Sequence, residues 1–543
     1  NILPFYKDSI KIFKANLYQS AMRKILLLLF AVITVITTSA QDFSNKGKDF
    51  WITSGWHFGM GVNNPPVMTL SLTSDVNTTY SIEAYGVGTI TSGNITANQV
   101  SIINIPSIYF TSIAGNGDGL FTGKAIHVTA ARPIVVYSFT TQALSSAATL
   151  CLPTNVLGKQ YYAANYTQIS ANPTGNNFIT IIAVEDNTVI EIIPTQSTVG
   201  GWTPNSVNTI NLNKGEIYQV LGAMNGNSGS DLTGTSIRSV ASGSGGCKRI
   251  AVFSGSGRVW IGGCTNGADN LYQQLYPAST WGRKYLTVPS SGRLTNYYRI
   301  IIPKPTPTAN VRLNGVVIPA ASFVNNFYEF SNNTPNLIEA DSAICVAQYF
   351  TSANCAGNPN PYDPDMVILN PVEQNISDVT LISSDRLSHT ITPQHFIHVI
   401  MKNSGTGISS FKFDGGQIPP SSVWVTHPQD PSYSYLYLNN VTETYHSLKS
   451  DSGFNAIAYG YATNETYAYS AGTNVKDLYQ QIRVQTQYGI ETTPSVCTNS
   501  PFRFKVSLPY CADSIRWDLS NLPGPPIPTI DTIRYSTCTP GPG

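Results

Sequence analysis

A short block that occurs twice constrains this chain more than any other feature. Arg312-Leu313-Asn314-Gly315-Val316-Val317-Ile318-Pro319 returns 100 residues later as Lys412-Phe413-Asp414-Gly415-Gly416-Gln417-Ile418-Pro419. Each copy reads as a strand, a tight Asn-Gly or Asp-Gly turn, and a second strand. A period of that length is a whole small β domain rather than a propeller blade or a solenoid turn. The chain is therefore read as a series of β units, an organisation that presents surfaces more readily than it builds one catalytic core.

Other landmarks keep the same register. An apolar strand appears as Pro133–Tyr137 and returns as Arg249–Phe253, Ala343–Ala347 and Ala456–Tyr459. Leu152-Pro153, Leu275-Tyr276-Pro277 and Leu369-Asn370-Pro371 follow the first three. Ile250 to Pro277 and Ile344 to Pro371 are both 27 residues, which argues for one template. Phe178–Ile182, Tyr298–Ile302 and Phe396–Ile400 open the later units. The expectation is an all-β fold, a tandem array of about four divergent β-sandwich-like units, with a β-propeller as the alternative. The units are read as 41–160, 161–288, 289–385 and 386–478. Residues 479–543 read as an incomplete Ig-like or PKD-like domain with strands at Phe502–Val506 and Ser514–Trp517. Short helices are expected only near Leu271–Gln274 and Val475–Leu478.

The beginning of the chain predicts export. Met22-Arg23-Lys24 is a basic segment, Ile25–Ile36 an apolar one, and Thr38-Ser39-Ala40 supplies small residues for cleavage before Gln41. The apolar run is too short to span a bilayer. Residues 1–21 read as an upstream segment outside the mature protein, 22–40 as a signal peptide, and no later segment reads as transmembrane. Without residues 1–40, the net charge moves from +1 to about −3. No basic run interleaves with aromatics, so nucleic-acid binding has no electrostatic support. Charged residues make up 11% of the chain against a usual quarter or so. Hydroxyl and amide side chains replace them, as suits an extracellular β surface.

Cysteines in an exported chain permit disulfides. Cys247 and Cys264 bracket Lys248–Gly263, read as two strands around Ser254-Gly255-Ser256-Gly257, so a bridge there would close a hairpin. Cys345 and Cys355 take a similar place in the next unit and suggest the same local pairing.

Four segments together resemble a known family. They are Gly47-Lys48-Asp49-Phe50-Trp51-Ile52, Asp231–Ile237, Lys248–Gly255 and Asp269-Asn270-Leu271-Tyr272-Gln273-Gln274-Leu275-Tyr276-Pro277-Ala278-Ser279-Thr280-Trp281-Gly282. They resemble the N-terminal domain of the IgGFc-binding protein family, a module also found in large secreted bacterial proteins. The resemblance covers roughly Asp42 to Lys476 and implies a secreted, β-rich, non-catalytic surface module. Fc binding is attributed to animal members with many further domains, and no residue of this chain is assigned as an Fc contact.

The search for chemistry yields little. No G-x-S-x-G elbow occurs, and Gly243-Ser244-Gly245 and Gly255-Ser256-Gly257 read as turns. His395 and His398 lie three apart in a strand and point to opposite faces, so they do not share a metal. His57 reads as packed. Asp363 and Asp365 recur where Asp269 lies in the preceding unit and read as a structural turn, with calcium as a weaker reading. No cofactor and no metal are assigned. Tyr297, Tyr298, Tyr433, Tyr435 and Tyr437 are the candidate ligand contacts, because tyrosine offers flat contact area at low entropic cost. The expected partner is an extracellular glycoprotein or polysaccharide, bound multivalently without catalysis. A polysaccharide-active enzyme, which requires paired carboxylates with raised pKa in a cleft, and a passive spacer are the alternatives.

Overall fold

The computed structural model describes residues 43–478 apart from 59–64, 112–116, 143, 171, 242–245, 264, 304–309, 354, 356–361, 385–386, 388–391 and 444. It also describes five strands between residues 482 and 534. The signal segment 22–40 and the upstream residues lie outside the described part. Among the described residues, no helix is long and apolar enough to cross a membrane.

Four two-sheet units follow one another, and the third shows the template most simply. Its outer sheet runs Lys284–Thr287, Asn336–Glu339, Arg312–Leu313, Val316–Val317. Its inner sheet runs Phe327–Asn332, Asn296–Ile301, Cys345–Phe350, Met366–Ile368. In the fourth unit the long strand Tyr445–Ala462 serves both sheets. Its first half pairs with Ile376–Ile382 and Lys412–Phe413, and its second half with Gln394–Lys402 and Glu465–Gly472. The first unit uses Ile126–Gln142 in the same double role. The repeated block forms the expected hairpin in both places. Asn314 and Gly315 have φ of 52° and 82°, and Asp414 and Gly415 have 50° and 75°, the left-handed pair that a type I′ turn needs.

The last strand of every unit lies innermost. Ser145–Cys151, Asp269–Gln274, Met366–Ile368 and Glu465–Gly472 are buried at every residue. They pack in the order first, second, third, fourth and back to first. Gln273 ties them together: its Nε2 donates to Ala148 O at 2.8 Å, Met366 O at 2.8 Å and Ala468 O at 3.0 Å, one carbonyl on each of the other three innermost strands. The two ends of the array close the circuit. Asn45 N donates to Thr473 O at 3.1 Å, Thr473 N donates to Asn45 Oδ1 at 2.9 Å, and Ser44 bridges Asn474.

Apolar packing runs across every border. Phe178, Phe253 and Tyr272 of the second unit join the core of the first, and Tyr137, Phe139 and Leu150 of the first join that of the fourth. Ile301 and Ile368 of the third join the second, and Phe396, Tyr459 and Tyr461 of the fourth join the third. The units thus share cores instead of following one another as separate beads, because burial of apolar area favours their association as it does folding.

The junctions repeat as well. Gly47 begins its unit's edge strand and Gly158 and Gly282 lie two residues before theirs, packed against Pro153, Pro277 and Pro371. A Cβ on these glycines would lie 2.1, 2.4 and 2.3 Å from the proline Cβ. Only glycine admits that approach.

Several expectations are corrected. Ile250–Val259 is one continuous strand, so Cys247 and Cys264 bracket a strand and not a hairpin. Gly255 stays extended there because its missing Cβ makes room for Leu271 O, which would lie 1.8 Å from one. Cys345 is a free, buried thiol on the core strand Cys345–Phe350, so the Cys345–Cys355 bridge does not form. Cys247 and Cys355 are each disulfide-bonded, and Cys264 lies outside the described residues. Leu271–Gln274 is strand and Val475–Leu478 is irregular chain, so neither forms the expected helix. The borders also shift: Lys284–Thr287 pairs within the third unit and Ile376–Ile382 within the fourth. Gly119–Phe121, read as part of the first unit, pairs with Ile217–Leu221 of the second. Phe502–Val506 and Ser514–Asp518 are strands as expected.

Candidate functional site

Among the described residues, two polar places bear on function, and they differ in access. The first lies among the innermost strands. Asp269 and Asp363 occupy the same register before Pro277 and Pro371, and both are buried. Asp269 accepts from Ser145 Oγ, from Ser146 N at 3.0 Å and from Asn270 N at 2.8 Å. Asp365 accepts from Met366 N at 2.7 Å and Ala468 N at 2.6 Å. Burial, reinforced by the charge of Asp363, raises Asp269 well above the carboxylate range. Burial pushes Asp363 up to about 7 against the pull of Arg293 and Arg258, with Glu465 adding to the rise. Burial likewise raises Asp365. His57, whose Nε2 lies 3.3 Å from Ser145 Oγ, is held down to about 3 by burial and then by Arg258.

A raised carboxyl pair is one requirement of the enzyme alternative. The three raised carboxyls are buried at the meeting of four strands, and the backbone bonds of two of them run between units: Asp269 to the first, Asp365 to the fourth. The arrangement is that of a polar fastening.

The second place is a cleft between the first and fourth units, about 830 Å³ in volume, lined by Asp75, Asn98, Asp378, Thr380, Lys412, Asp414, Gly415, Tyr445, Ser447 and Lys449. Its floor follows from strand alternation. Asp378 and Thr380, then Lys449, Ser447 and Tyr445, then Lys412 and Asp414 share one face of three paired strands. Val379, Leu381 and Leu448 turn the other way into the core. The two rows of the floor read Asp378–Lys449–Lys412 and Thr380–Ser447–Asp414. The Asp414-Gly415 turn, half of the repeated block, forms one wall; Asp75 and Asn98, in the first unit, form the other. Tyr445 Oη donates to Asn98 Oδ1 at 3.2 Å across the gap.

The electrostatics are those of a polar, mixed-charge groove. Asp75 pairs with Lys46 at 3.5 Å and Asp378 with Lys449 at 3.4 Å. Asp414 accepts from Ser447 N at 2.8 Å and meets His446 Nδ1 at 2.8 Å. Partial burial, then the charges of Asp378, Asp414 and Asp75, pushes the Tyr445 phenol up to about 12. Among the described residues, no aliphatic side chain lines the cleft. Such a lining offers hydrogen bonds and one aromatic ring, which suits a hydroxylated ligand.

The structure does not gather the tyrosines expected as contacts. Tyr298 is fully buried and stacks on Phe330 with ring centres 5.0 Å apart, so it cannot meet a ligand. Tyr297 is half-buried, edge-on to Tyr166 at 6.4 Å. Tyr433 is buried beneath Lys284, whose Nζ lies 5.5 Å from the ring centre. Tyr435 and Tyr437 pack edge to face at 5.4 Å, and Tyr437 Oη donates to Pro289 O at 3.1 Å. These rings mostly seal the border of the third and fourth units, in keeping with alternation in a strand between two packed sheets. The cleft residues were missed because each lies alone in the sequence. The readable signal was the second hairpin block, which carries Lys412 and Asp414.

His395 and His398 both pack inside, on Tyr467 and Tyr459. Among the described residues, no group of three or more His, Cys, Asp and Glu side chains is placed to hold a metal ion.

A family model described as IgGFc binding protein matches residues 147–460, more than half of the chain. The match begins inside the innermost strand of the first unit and ends in the central strand of the fourth. No curated protein matches the chain.

Proposed function

Because the chain belongs to the IgGFc binding protein family, we propose that it is an extracellular binding protein that takes a glycoprotein or a polysaccharide in the cleft between its first and fourth units. The observation that supports this reading most is the cleft floor. Its Asp, Lys and Ser side chains reach solvent on one sheet face, beside Tyr445 and above the buried Thr380. Hydroxylated polymers are held by many such donors and acceptors, with an aromatic ring as platform. Shared cores between the units favour a rigid groove, which lowers the ordering cost of binding. Export through residues 22–40 is part of the proposal.

Catalysis is not part of it. The raised carboxyls sit at the buried meeting of the innermost strands, whereas the open cleft holds carboxylates already paired with Lys46, Lys449 and His446.

The test is binding of the full chain to a panel of immunoglobulin Fc, mucin and purified polysaccharides, beside a Ser447→Trp variant whose indole would occupy the cleft floor. Saturable binding by the wild type that the variant loses by tenfold or more supports the proposal. Binding that the variant retains moves the site elsewhere, and silence across the panel overturns the ligand class.

A further inference from the structure

The third unit supplies an internal control for the cleft. Its outer sheet has the same three strands in the same register as the cleft floor. The row Lys284–Glu339–Arg312 occupies the place of Asp378–Lys449–Lys412. In the third unit the charges alternate, with Glu339 between two cations and Lys284 Nζ at 3.7 Å from it. The second row matches too: Asn314 Oδ1 accepts from Leu337 N at 2.9 Å, as Asp414 Oδ1 accepts from Ser447 N at 2.8 Å.

The fourth unit breaks this balance. Lys412 and Lys449 are directly opposite across two paired strands, where Cβ atoms lie roughly 5 Å apart and like charges destabilise the sheet. Lys449 has Asp378 at 3.4 Å. Among the described residues, Lys412 has no ion-pair partner. The nearby carboxylates are otherwise engaged: Asp75 with Lys46, and Asp414 with His446 and Ser447 N. One ammonium group is thus left over on the floor of a groove that otherwise offers hydroxyl, amide and carboxylate groups.

Building on the proposed glycan-binding role of this cleft, we infer that its ligand is an acidic glycan, one anionic substituent of which sits on Lys412 while its hydroxyls meet Asp414, Ser447 and Asn98. An anion there would relieve the Lys412–Lys449 repulsion, so the row that is a liability in the free protein becomes a gain in the complex. A carboxylate and a sulfate ester share the needed chemistry. Lysine serves both, because it acts as a point charge without the bidentate geometry of arginine.

The test is titration calorimetry of the full chain with polygalacturonate, dextran sulfate and unmodified dextran, at low and physiological salt. Wild type, Lys412→Gln and Arg312→Gln, the matching change in the third unit, are compared. The inference expects at least fivefold tighter binding of one charged polymer than of dextran. It also expects Lys412→Gln to remove that preference by weakening the charged polymer at least fivefold more than dextran, Arg312→Gln to have no effect, and added salt to weaken the charged polymer only. Preference for polygalacturonate or for dextran sulfate identifies the group as carboxylate or sulfate. Equal binding of all three polymers, lost in Ser447→Trp and unaffected by Lys412→Gln, overturns the acidic-glycan inference and leaves the cleft in place. Silence with these three polymers also overturns the inference. The glycoprotein-or-polysaccharide reading falls only if the wider panel is silent too.

Discussion

Replacing Gln273 by leucine tests whether the four units are one body. Its amide group carries two hydrogens and reaches three carbonyls, Ala148 O, Met366 O and Ala468 O, at 2.8, 2.8 and 3.0 Å. Leucine fills nearly the same volume, so the cavity contribution is small. The loss is then that of two buried hydrogen bonds, plus the desolvation left on carbonyls that no water reaches, about 3–5 kcal/mol in all. Equilibrium unfolding of the full chain in urea, read by tryptophan fluorescence, should show the midpoint displaced accordingly. A Tyr137→Phe control removes an Oη shared between Thr380 O and Ala471 O, both 2.6 Å away, and should cost less, about 1–2 kcal/mol. If Gln273→Leu unfolds within about 0.5 kcal/mol of the wild type, the axial amide does not hold the units together and the reasoning fails.

Three further outcomes are expected. Asp363 is raised in the fold to about 7 from an ordinary value of 3.8, so its contribution is full below pH 4 and is lost as pH rises through about 7. Asp363→Asn should therefore gain stability relative to wild type between pH 5 and pH 8, by roughly 2–4 kcal/mol; thermal melts of both across that range decide it, and a constant difference counts against it. His57 works in the opposite sense, its depressed value costing stability as pH falls from 6.5 toward about 3, so the pair of proteins and not wild type alone must be compared. Gly255→Ala sets a Cβ 1.8 Å from Leu271 O, a backbone atom that no rotamer change can move, and should cost more than about 3 kcal/mol or prevent folding, as circular dichroism would show. Arg299→Met leaves Asp231 and Glu329 without the guanidinium that lies 2.8 and 2.7 Å from them, and should cost about 3–5 kcal/mol in urea unfolding, whereas a loss under 1 kcal/mol would mean the pair is solvated.

Local features of this fold were legible and closure was not. The Asn314-Gly315 and Asp414-Gly415 turns were readable because few residue pairs adopt left-handed φ twice in succession. The strands Phe178–Ile182 and Phe396–Ile400 were readable from their apolar β-branched and aromatic residues. The innermost strands gave no period-2 pattern, since both faces are buried and both are mixed in polarity, which is how Leu271–Gln274 came to look helical. Ile250–Val259 looked like two strands because Gly and Ser usually mark turns; here they make room for a neighbouring backbone. The Gly-Lys and Gly-Arg steps at Gly47, Gly158 and Gly282, each matched to Pro153, Pro277 and Pro371, were a readable repeat whose meaning required the contacts. The cleft depends on Asp75 and Asn98 meeting residues more than 270 positions away, a pairing that no local pattern encodes.

Hydrogen exchange of the full chain, free and saturated with whichever panel polymer binds, addresses the cleft most directly. The account predicts slower exchange at residues 412–414 and 445–449 and in the turns that carry Asp75 and Asn98, with the third-unit hairpin 312–317 unchanged. Protection confined to other segments, or none in a saturated complex, would contradict it.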